Sequence, residues 1–498
     1  MKKHFPQLLC LLLCALLLTG CAAQPAPLTG AALPTPVPGP EAPLGDAGLR
    51  RDTIVPLHLP SPDGQTLLTF YETMSLSLDR HPAESILQAL LAHEGNSRVD
   101  ALGGHAALAL SGANPVEISG SVCTVNLSAS ALQLSSQRLY TVAVAITATL
   151  CEVEDVEYVN LLIAGTPVGM DVGGNLPLGT LATPATQELP VLWEQFFARR
   201  TPMGELPAHT PVTATATLYF PQSDGRGILA EPRRLAFPGQ HPQQQVVTLL
   251  TALSAGADVL TDTAEFPDLN ELLLFVPEVT DLENGGRRVT LHFTANVMEQ
   301  LTAAGCDPSA AFAAITTTLT TFVPSLQQVC VLVGDGALTS LYSDALGSML
   351  FPGGLMTRSD FSHTLLCQST VFVPQGHGVS ARMLALPYRS AGNPRALLLS
   401  LASPGVGALP EGLSDADILG LAVSDGTLLV NLSSRYADVI RMSDLPQRQM
   451  AYSMVSTLCK AMNVRRMRCY FGGEAVESLG SSLVWNGEFF YNPTLIVP

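Results

Sequence analysis

The chain has 498 residues, of which 47% are hydrophobic and only 13% are charged, so it has ample apolar surface for folded cores and is not typical of a disordered protein. Its length predicts about two to four domains. The formal net charge of −17 argues against nucleic acid as a partner, because an acidic surface repels phosphate backbones. It equally disfavours attachment to an anionic membrane surface through a basic patch.

The N-terminus is predicted to be a bacterial lipoprotein signal. Lys2 and Lys3 precede an apolar run from Leu8 to Leu18 that is too short for a good transmembrane helix. Leu18-Thr19-Gly20-Cys21 then places a cysteine directly after small residues. We predict a signal peptide over residues 1–20, palmitate or a related lipid on Cys21, and a position on the extracytoplasmic face of the cell membrane, anchored and not spanning. The alternative is an ordinary secretory signal with a chance cysteine.

The segment after the signal is predicted to be an extended tether. Residues 21–52 are rich in Pro, Ala and Gly, and such a composition cannot build a core. We expect this tether to hold the folded body away from the membrane. A second linker that contains proline is predicted over residues 183–210.

One order of elements recurs three times after the tether. Each copy opens with an apolar strand that ends in a proline and a turn, at Leu57–Gly64, Leu218–Gly225 and Val371–Gly378. A first helix follows, with apolar residues at helical spacing over Ile86–Leu91, Val246–Leu253 and Leu397–Leu401. Next come a hairpin (Val116–Leu127, Glu278–Phe293, Ile418–Leu432), a second helix (Gln137–Leu150, Ser309–Phe322, Gln447–Met462) and a closing strand with apolar residues at every second position.

These elements predict an α+β protein of three tandem β-α-β-β-α-β domains, each a small mixed or antiparallel sheet with helices on one face. The predicted domains are residues 53–182, 211–358 and 359–498. The second is divergent, because it has Val289-Thr290-Leu291-His292-Phe293 where the other two have Val-Asn-Leu-Ser.

The repeated unit resembles the GerMN domain family, which is named for sporulation and spore-germination proteins. The third copy carries the resemblance through Leu409-Pro410-Glu411-Gly412-Leu413, Val430-Asn431-Leu432-Ser433 and the helix Tyr452–Leu458. The first copy matches through Val125–Ser128 and Thr147–Leu150. The resemblance implies an envelope protein without an established enzymatic activity. By analogy with the ring-building motifs of sporulation and secretion assemblies, it also implies a binding or assembly role.

The sequence predicts no catalytic residue, no cofactor and no metal site, because no reactive arrangement recurs at equivalent places. Ser128, Thr149, Ser433 and Thr457 recur without a histidine at a matching offset, which favours capping and helix-to-sheet packing. The acidic residues Glu411, Asp415 and Asp417 could hold a calcium ion, but a capped turn is the favoured interpretation.

Cysteine usage argues against a disulfide framework. Seven cysteines remain beyond residue 21, an odd number without a CxxC spacing. Cys459 and Cys469 could nevertheless form one disulfide between the last helix and the strand that follows it.

The C-terminal tail holds the predicted partner-contact residues, Trp485, Phe489, Phe490 and Tyr491, with closure of the last core as the alternative. We predict a lipid-anchored, non-catalytic protein that acts in sporulation or germination. It is expected to bind or assemble with an envelope protein, with peptidoglycan or with copies of itself. Two alternatives stay open. An envelope hydrolase or glycan-modifying enzyme requires a polar pocket in one copy that the others lack, and a small-ligand capture protein requires an apolar pocket between domains.

Overall fold

A computed structural model describes residues 40–104, 106–170, 174–198 and 211–497. Contacts divide the chain into Met1–Glu41 and Ala42–Pro498, and the second of these units contains all the elements described below. The predicted signal peptide and lipidated Cys21 lie outside the described residues. Strand β1 (Gly45–Gly48) precedes the three repeats.

Repeat 1 has a long hairpin, a helix, a short hairpin, a second helix and a closing strand. Its strands are β2 (Arg50–Pro60), β3 (Leu67–Ser77), β4 (Val116–Ser119), β5 (Val122–Leu127), β6 (Tyr158–Ile163), β7 (Thr166–Pro167) and β8 (Leu181–Ala182). Its helices are α1 (Ala83–Ala92), α2 (Ser136–Leu150) and α3 (Leu189–Ala198).

Repeat 2 follows the same order with extra short strands near its end. Its strands are β9 (Val212–Pro221), β10 (Ile228–Phe237), β11 (Glu278–Asp281), β12 (Arg287–Phe293), β13 (Leu326–Val333), β14 (Gly336–Ala337), β15 (Ser340–Ser343), β16 (Gly347–Leu350) and β17 (Leu355–Met356). Its helices are α4 (Pro242–Ser254), α5 (Val297–Ala303) and α6 (Pro308–Phe322).

Repeat 3 closes the chain. Its strands are β18 (Leu366–Gln375), β19 (Gly378–Pro387), β20 (Ile418–Ser424), β21 (Thr427–Leu432), β22 (Arg466–Phe471), β23 (Glu488–Phe490) and β24 (Ile496–Val497). Its helices are α7 (Pro394–Leu401), α8 (Ser434–Met442) and α9 (Gln447–Ala461). The α+β class is therefore confirmed, and the second helix of each repeat lies within one residue of its predicted bounds.

Each repeat has a mixed sheet, as predicted. The short hairpin is antiparallel, and its second strand pairs in parallel with the closing strand, as β5 does with β6, β12 with β13 and β21 with β22. The second helix packs between this sheet and the long hairpin. In α6 every residue after Pro308 is buried, as expected of a helix covered on all sides.

The opening strand of each repeat has an antiparallel partner that the sequence analysis did not include. β2 with β3, and β9 with β10, form separate two-stranded sheets, and β18 with β19 forms the same hairpin joined by β24. The order is thus β-β-α-β-β-α-β. The partner strands escaped the prediction because they carry many polar, exposed positions, such as Arg382 in β19.

The predicted tether ends earlier than residue 52. β1 pairs in parallel with β20 at the edge of the sheet of repeat 3, and Leu49 is 1% exposed in the core of that repeat. A Cβ on Gly420 would lie 2.6 Å from the backbone nitrogen of Gly45, so only glycine allows this close approach. Arg395 secures the strand by donating from Nε and Nη2 to the carboxylate of Asp46, at 2.8 and 2.9 Å. Composition could not predict this strand, because its partner β20 lies in repeat 3, far along the chain.

The predicted linker over residues 183–210 is also partly wrong. α3 lies within it and packs on α2, where the rings of Trp193 and Phe196 lie 5.4 and 4.7 Å from that of Tyr140. The Pro-rich flanks of this segment concealed a short apolar helix.

One threonine in the second helix of every repeat binds the long hairpin. Thr149, Thr318 and Thr457 each accept a hydrogen bond at Oγ1 from the backbone N–H two residues before the hairpin proline, at 2.9, 3.0 and 2.9 Å. The packing role predicted for Thr149 and Thr457 is confirmed. Thr318 was missed because it lies in a run of threonines that gives no register.

Buried polar contacts join the three repeats. Ser119 of repeat 1 donates to the Leu366 carbonyl of repeat 3 at 2.7 Å and accepts from the Ala230 N–H of repeat 2 at 3.0 Å. Arg358, at the end of repeat 2, forms a buried ion pair with Glu117 of repeat 1, with Nε 3.1 Å from Oε2. The sequence left open whether the domains pack or swing, and the structure packs them together.

The repeated threonine contact predicts a specific loss of stability. We expect Thr318→Val to lower the free energy of unfolding by about 1–3 kcal/mol, because the buried Tyr219 N–H loses its acceptor while side-chain volume is kept. Urea unfolding measures this. Thr302→Val, the same change on an exposed face of α5, should stay within about 0.5 kcal/mol; equal effects of the two variants would contradict the assignment.

The ion pair predicts a rescue. Arg358→Met leaves the Glu117 carboxylate buried without its partner, and we expect a loss of about 3–5 kcal/mol in unfolding free energy. Adding Glu117→Met should restore most of that loss, because no charge is then buried. A double variant as unstable as the single one in urea unfolding would refute the role of the unpaired charge.

Candidate functional site

The aromatic tail is mostly core. Trp485 is 0% exposed, and its Nε1–H donates to Gln447 Oε1 at 3.0 Å, while Phe489 is 7% exposed against the same indole. The predicted partner-contact role is therefore wrong for Trp485 and Phe489, since both rings fill the space between α9 and the sheet of repeat 3. Phe490 is exposed and Tyr491 is half-buried, so their contact role stays a prediction.

The recurring asparagines connect a central strand of the sheet to neighbouring turns. Asn126 Oδ1 accepts from Gly165 N–H at 2.8 Å and its Nδ2 donates to the Ser111 carbonyl. Asn431 makes the equivalent contacts with Gly473 N–H and the Pro43 carbonyl. In repeat 2, His292 takes this place and its Nε2 lies 2.5 Å from the Gly334 carbonyl. Repeat 2 thus links the same strand position to the following turn through a glycine carbonyl, whereas the asparagines use a glycine N–H.

The acidic cluster is a capped turn. The Asp417 carboxylate accepts hydrogen bonds from the guanidinium of Arg435 and the hydroxyls of Ser414 and Ser433, which hold its pKa well below its ordinary value. Asp415 instead pairs with Arg395 at 3.2 Å. Across the described residues, no group of His, Cys, Asp and Glu side chains is arranged to hold a metal ion.

Five of the seven described cysteines are buried thiols. Cys459 and Cys469 are free, so the disulfide considered for them is not formed, and burial raises the pKa of each to about 12. Burial likewise raises the pKa of Cys306 to about 12 and of Cys367 to about 11. These thiols stay protonated at neutral pH and are poor nucleophiles.

His81 is the histidine nearest to a cleft, and its ring contacts backbone. Nδ1 accepts from the Ala83 N–H at 3.3 Å, at the start of α1. Burial lowers the pKa of His81, so the ring is neutral at pH 7. This contact at the start of α1 gives His81 a structural role.

Cleft A, between repeats 1 and 2, has a volume of about 500 Å³. Amide side chains line it from both repeats, with hydroxyls from the turn that follows repeat 2: Asn126, Asn284, Gln327, Gln328, Ser359 and Ser362. Glu117 and Arg358 are its ionisable lining groups, and they are paired with each other. No sequence motif indicated this cleft, because its residues come together only when the repeats pack.

The chemistry of cleft A suits a neutral, polar ligand. Amides and hydroxyls supply both donors and acceptors, as sugar hydroxyls and peptide groups require. The buried ion pair presents no net charge, so a strongly charged ligand gains little there. The volume lies in the usual range for binding sites of small or extended ligands.

Cleft B, between repeats 1 and 3, has a volume of about 420 Å³. Its wall includes the apolar residues Ile54, Val55 and Leu397 beside the charged residues Arg51, Lys460 and Glu152. Arg51 is already engaged, since its Nη1 donates to the Met462 carbonyl at 3.0 Å. Cleft B thus has both an apolar region and a charged region, whereas the lining of cleft A is mainly neutral and polar.

None of the helices in the described part of the chain combines the length and the apolar character needed to span a bilayer.

Two solved structures align with this chain over most of their own length, but at low sequence identity. The tandem GerMN domains of the sporulation protein GerM from Bacillus subtilis share 18% identity, over 57% of this chain and 92% of that chain, with a TM-score of 0.22. A "putative lipoprotein" from Clostridium perfringens shares 19% identity, over 27% of this chain and 93% of that chain, with a TM-score of 0.18. No curated protein matches the chain.

Comparison with protein families gives one match, which covers most of repeat 1 from Pro56 in β2 to Gly169 beyond β7. The matched family is Germane, described as sporulation and spore germination. The GerMN resemblance of the first copy is confirmed by this match, whereas the family assignment of repeats 2 and 3 stays a prediction. Residues 56–169 therefore match the Germane family, and this match covers less than a quarter of the chain.

Proposed function

We propose that this chain is a lipid-anchored, non-catalytic envelope protein that binds the glycan strands of peptidoglycan at cleft A during sporulation or germination. The observation that carries the proposal is the lining of cleft A. It consists of amides and hydroxyls together with the ion pair of Glu117 and Arg358, whose charges neutralise each other. Glycan strands offer many hydroxyl and amide groups, which match such a lining.

The overall charge supports a neutral ligand. A net charge of −17 disfavours anionic polymers, so attraction has to come from hydrogen bonds and shape rather than from long-range electrostatics. In cleft A the ligand meets a wall without net charge.

A binding role also agrees with how the recurring side chains are used. Thr149, Thr318 and Thr457 hold helices to hairpins, and Asn126 and Asn431 hold turns to strands. These recurring side chains make structural contacts within each repeat. We therefore place the binding site on a surface that forms where two repeats meet.

Small-ligand capture at cleft B is a second candidate. The apolar wall of Ile54, Val55 and Leu397 favours it, since a capture site needs an apolar concavity between repeats. A ligand for cleft B would carry an apolar part and a charged group.

A cleft A variant tests the binding proposal. Gln327→Arg places a long cation against the wall of cleft A, and we expect it to weaken co-sedimentation with purified insoluble peptidoglycan about tenfold, or about 1.4 kcal/mol. Gln300→Arg makes the same change on the exposed face of α5 and should bind as the unchanged protein does.

Three results would count against the proposal. Unchanged protein that stays in the supernatant would overturn peptidoglycan binding, and equal binding of the two variants would overturn cleft A as its site. Soluble sugar fragments that accumulate with time would instead favour the hydrolase alternative.

The proposed anchor has its own test. In a bacterial host that processes lipoproteins, we expect Cys21→Ser to move the full chain from the membrane fraction to the medium and to abolish incorporation of labelled palmitate. Cys151→Ser, a change within the folded body, should leave both unchanged. Membrane retention of the Cys21 variant would contradict lipid attachment at this residue.

A further inference from the structure

The outer edge of the sheet differs among the three repeats. In repeat 3, β1 pairs with the outer side of β20. In repeat 1, β4 packs against repeat 3, and Glu117, Ile118 and Ser119 are 7%, 5% and 3% exposed. In repeat 2, β11 is the last strand of its sheet, and within the described part of the chain no strand pairs with its outer side.

The open edge of repeat 2 is longer than β11. Leu273 forms a bridge with Phe293, and the Leu274 N–H donates to the His292 carbonyl at 2.7 Å, so the chain also meets β12 just before β11. Residues 275–277 lie between these two paired stretches outside any strand, and Pro277 has no N–H to offer. We call residues 273–281 the open edge. Such an edge presents unpaired backbone donors and acceptors, which an added strand can satisfy.

The open edge is apolar at one end. Leu274, Phe275 and Val276 are 48%, 66% and 76% exposed. Three consecutive large apolar residues at the surface are unusual in a folded domain and are typical of a contact site. The apolar end gives an added strand a hydrophobic contact beyond its backbone hydrogen bonds.

The sequence around the open edge is acidic. From residue 258 to residue 283 the chain has eight Asp or Glu residues and no Lys or Arg. Arg287 and Arg288 lie opposite β11 in the neighbouring strand β12, and Arg287 Nε is 3.2 Å from Asp281 Oδ1, so Glu278 is the unpaired carboxylate of β11. Glu278 and Asp281 lie in β11 itself, and both are exposed. Pairing with the same edge of a second copy would place these carboxylates against each other, which is unfavourable. The favoured occupant is therefore a basic segment.

We propose that the open edge of repeat 2 receives an extended segment of a partner protein in which basic and apolar residues alternate, as an added strand of the sheet. Repeat 3 shows that this sheet accepts a strand at its outer edge, since β1 occupies the corresponding position there. The surface shares no lining residue with cleft A, so its test is independent of peptidoglycan.

The test uses the full chain and two blocked ten-residue peptides, one alternating Lys with Val and the other alternating Glu with Val. We expect saturable binding of the Lys–Val peptide, weakened by added salt, and no comparable binding of the Glu–Val peptide. Glu278→Lys should weaken Lys–Val binding about tenfold, whereas Glu194→Lys, the same charge change on the exposed side of α3, should not.

Hydrogen exchange separates strand addition from loose attraction between charges. Backbone amides within residues 273–281 should exchange more slowly when the Lys–Val peptide is bound. Absence of binding, equal binding of both peptides, an unaffected Glu278 variant, or protection elsewhere in the chain would overturn the proposal. Protection of the open edge in a peptide-free dimer would overturn it in favour of self-association.

Discussion

The fold depends on a helix that is covered from two sides. In each repeat the second helix lies between a mixed sheet and a hairpin, and the middle of the helix is buried. A polar group in such a place has to find a partner within the protein. The hydroxyls of Thr149, Thr318 and Thr457 make such a contact, because each accepts a hydrogen bond from the backbone N–H two residues before the hairpin proline. One side-chain atom thereby fixes the hairpin relative to the helix, and so relative to the sheet.

Much of this arrangement is visible in the sequence, because it rests on local patterns. The second helices have a continuous apolar and threonine-rich composition, and two of them begin at side-chain caps, Ser135 and Asp307. The short hairpins could also be predicted, because Ser-Gly, Asn-Gly and Asp-Gly are typical turn sequences between paired strands. What escaped prediction has weak local signals: hairpin partner strands with polar faces, a helix inside a Pro-containing segment, and β1, whose partner strand lies far along the chain.

The candidate sites could not be predicted in the same way, for a physical reason. Cleft A combines Asn126, Gln327 and Ser362, which no spacing rule connects, and its neutrality depends on the contact between Glu117 and Arg358. The aromatic tail shows the reverse case. Its composition suggested a contact surface, but Trp485 is buried in the core of repeat 3, where its indole N–H donates to Gln447. Packing between repeats, rather than motif content, determines which polar and aromatic groups remain available.

The docking of β1 on repeat 3 has a mechanical consequence. A pulling force applied on the N-terminal side of Gly45 reaches the β1–β20 ladder before it reaches β2, so the first structure to bear load is the edge of repeat 3 and not repeat 1. The bidentate grip of Arg395 on Asp46 and the burial of Leu49 must both fail before the chain can lengthen there. Release of the four residues of β1 would then leave the outer edge of β20 without its paired strand.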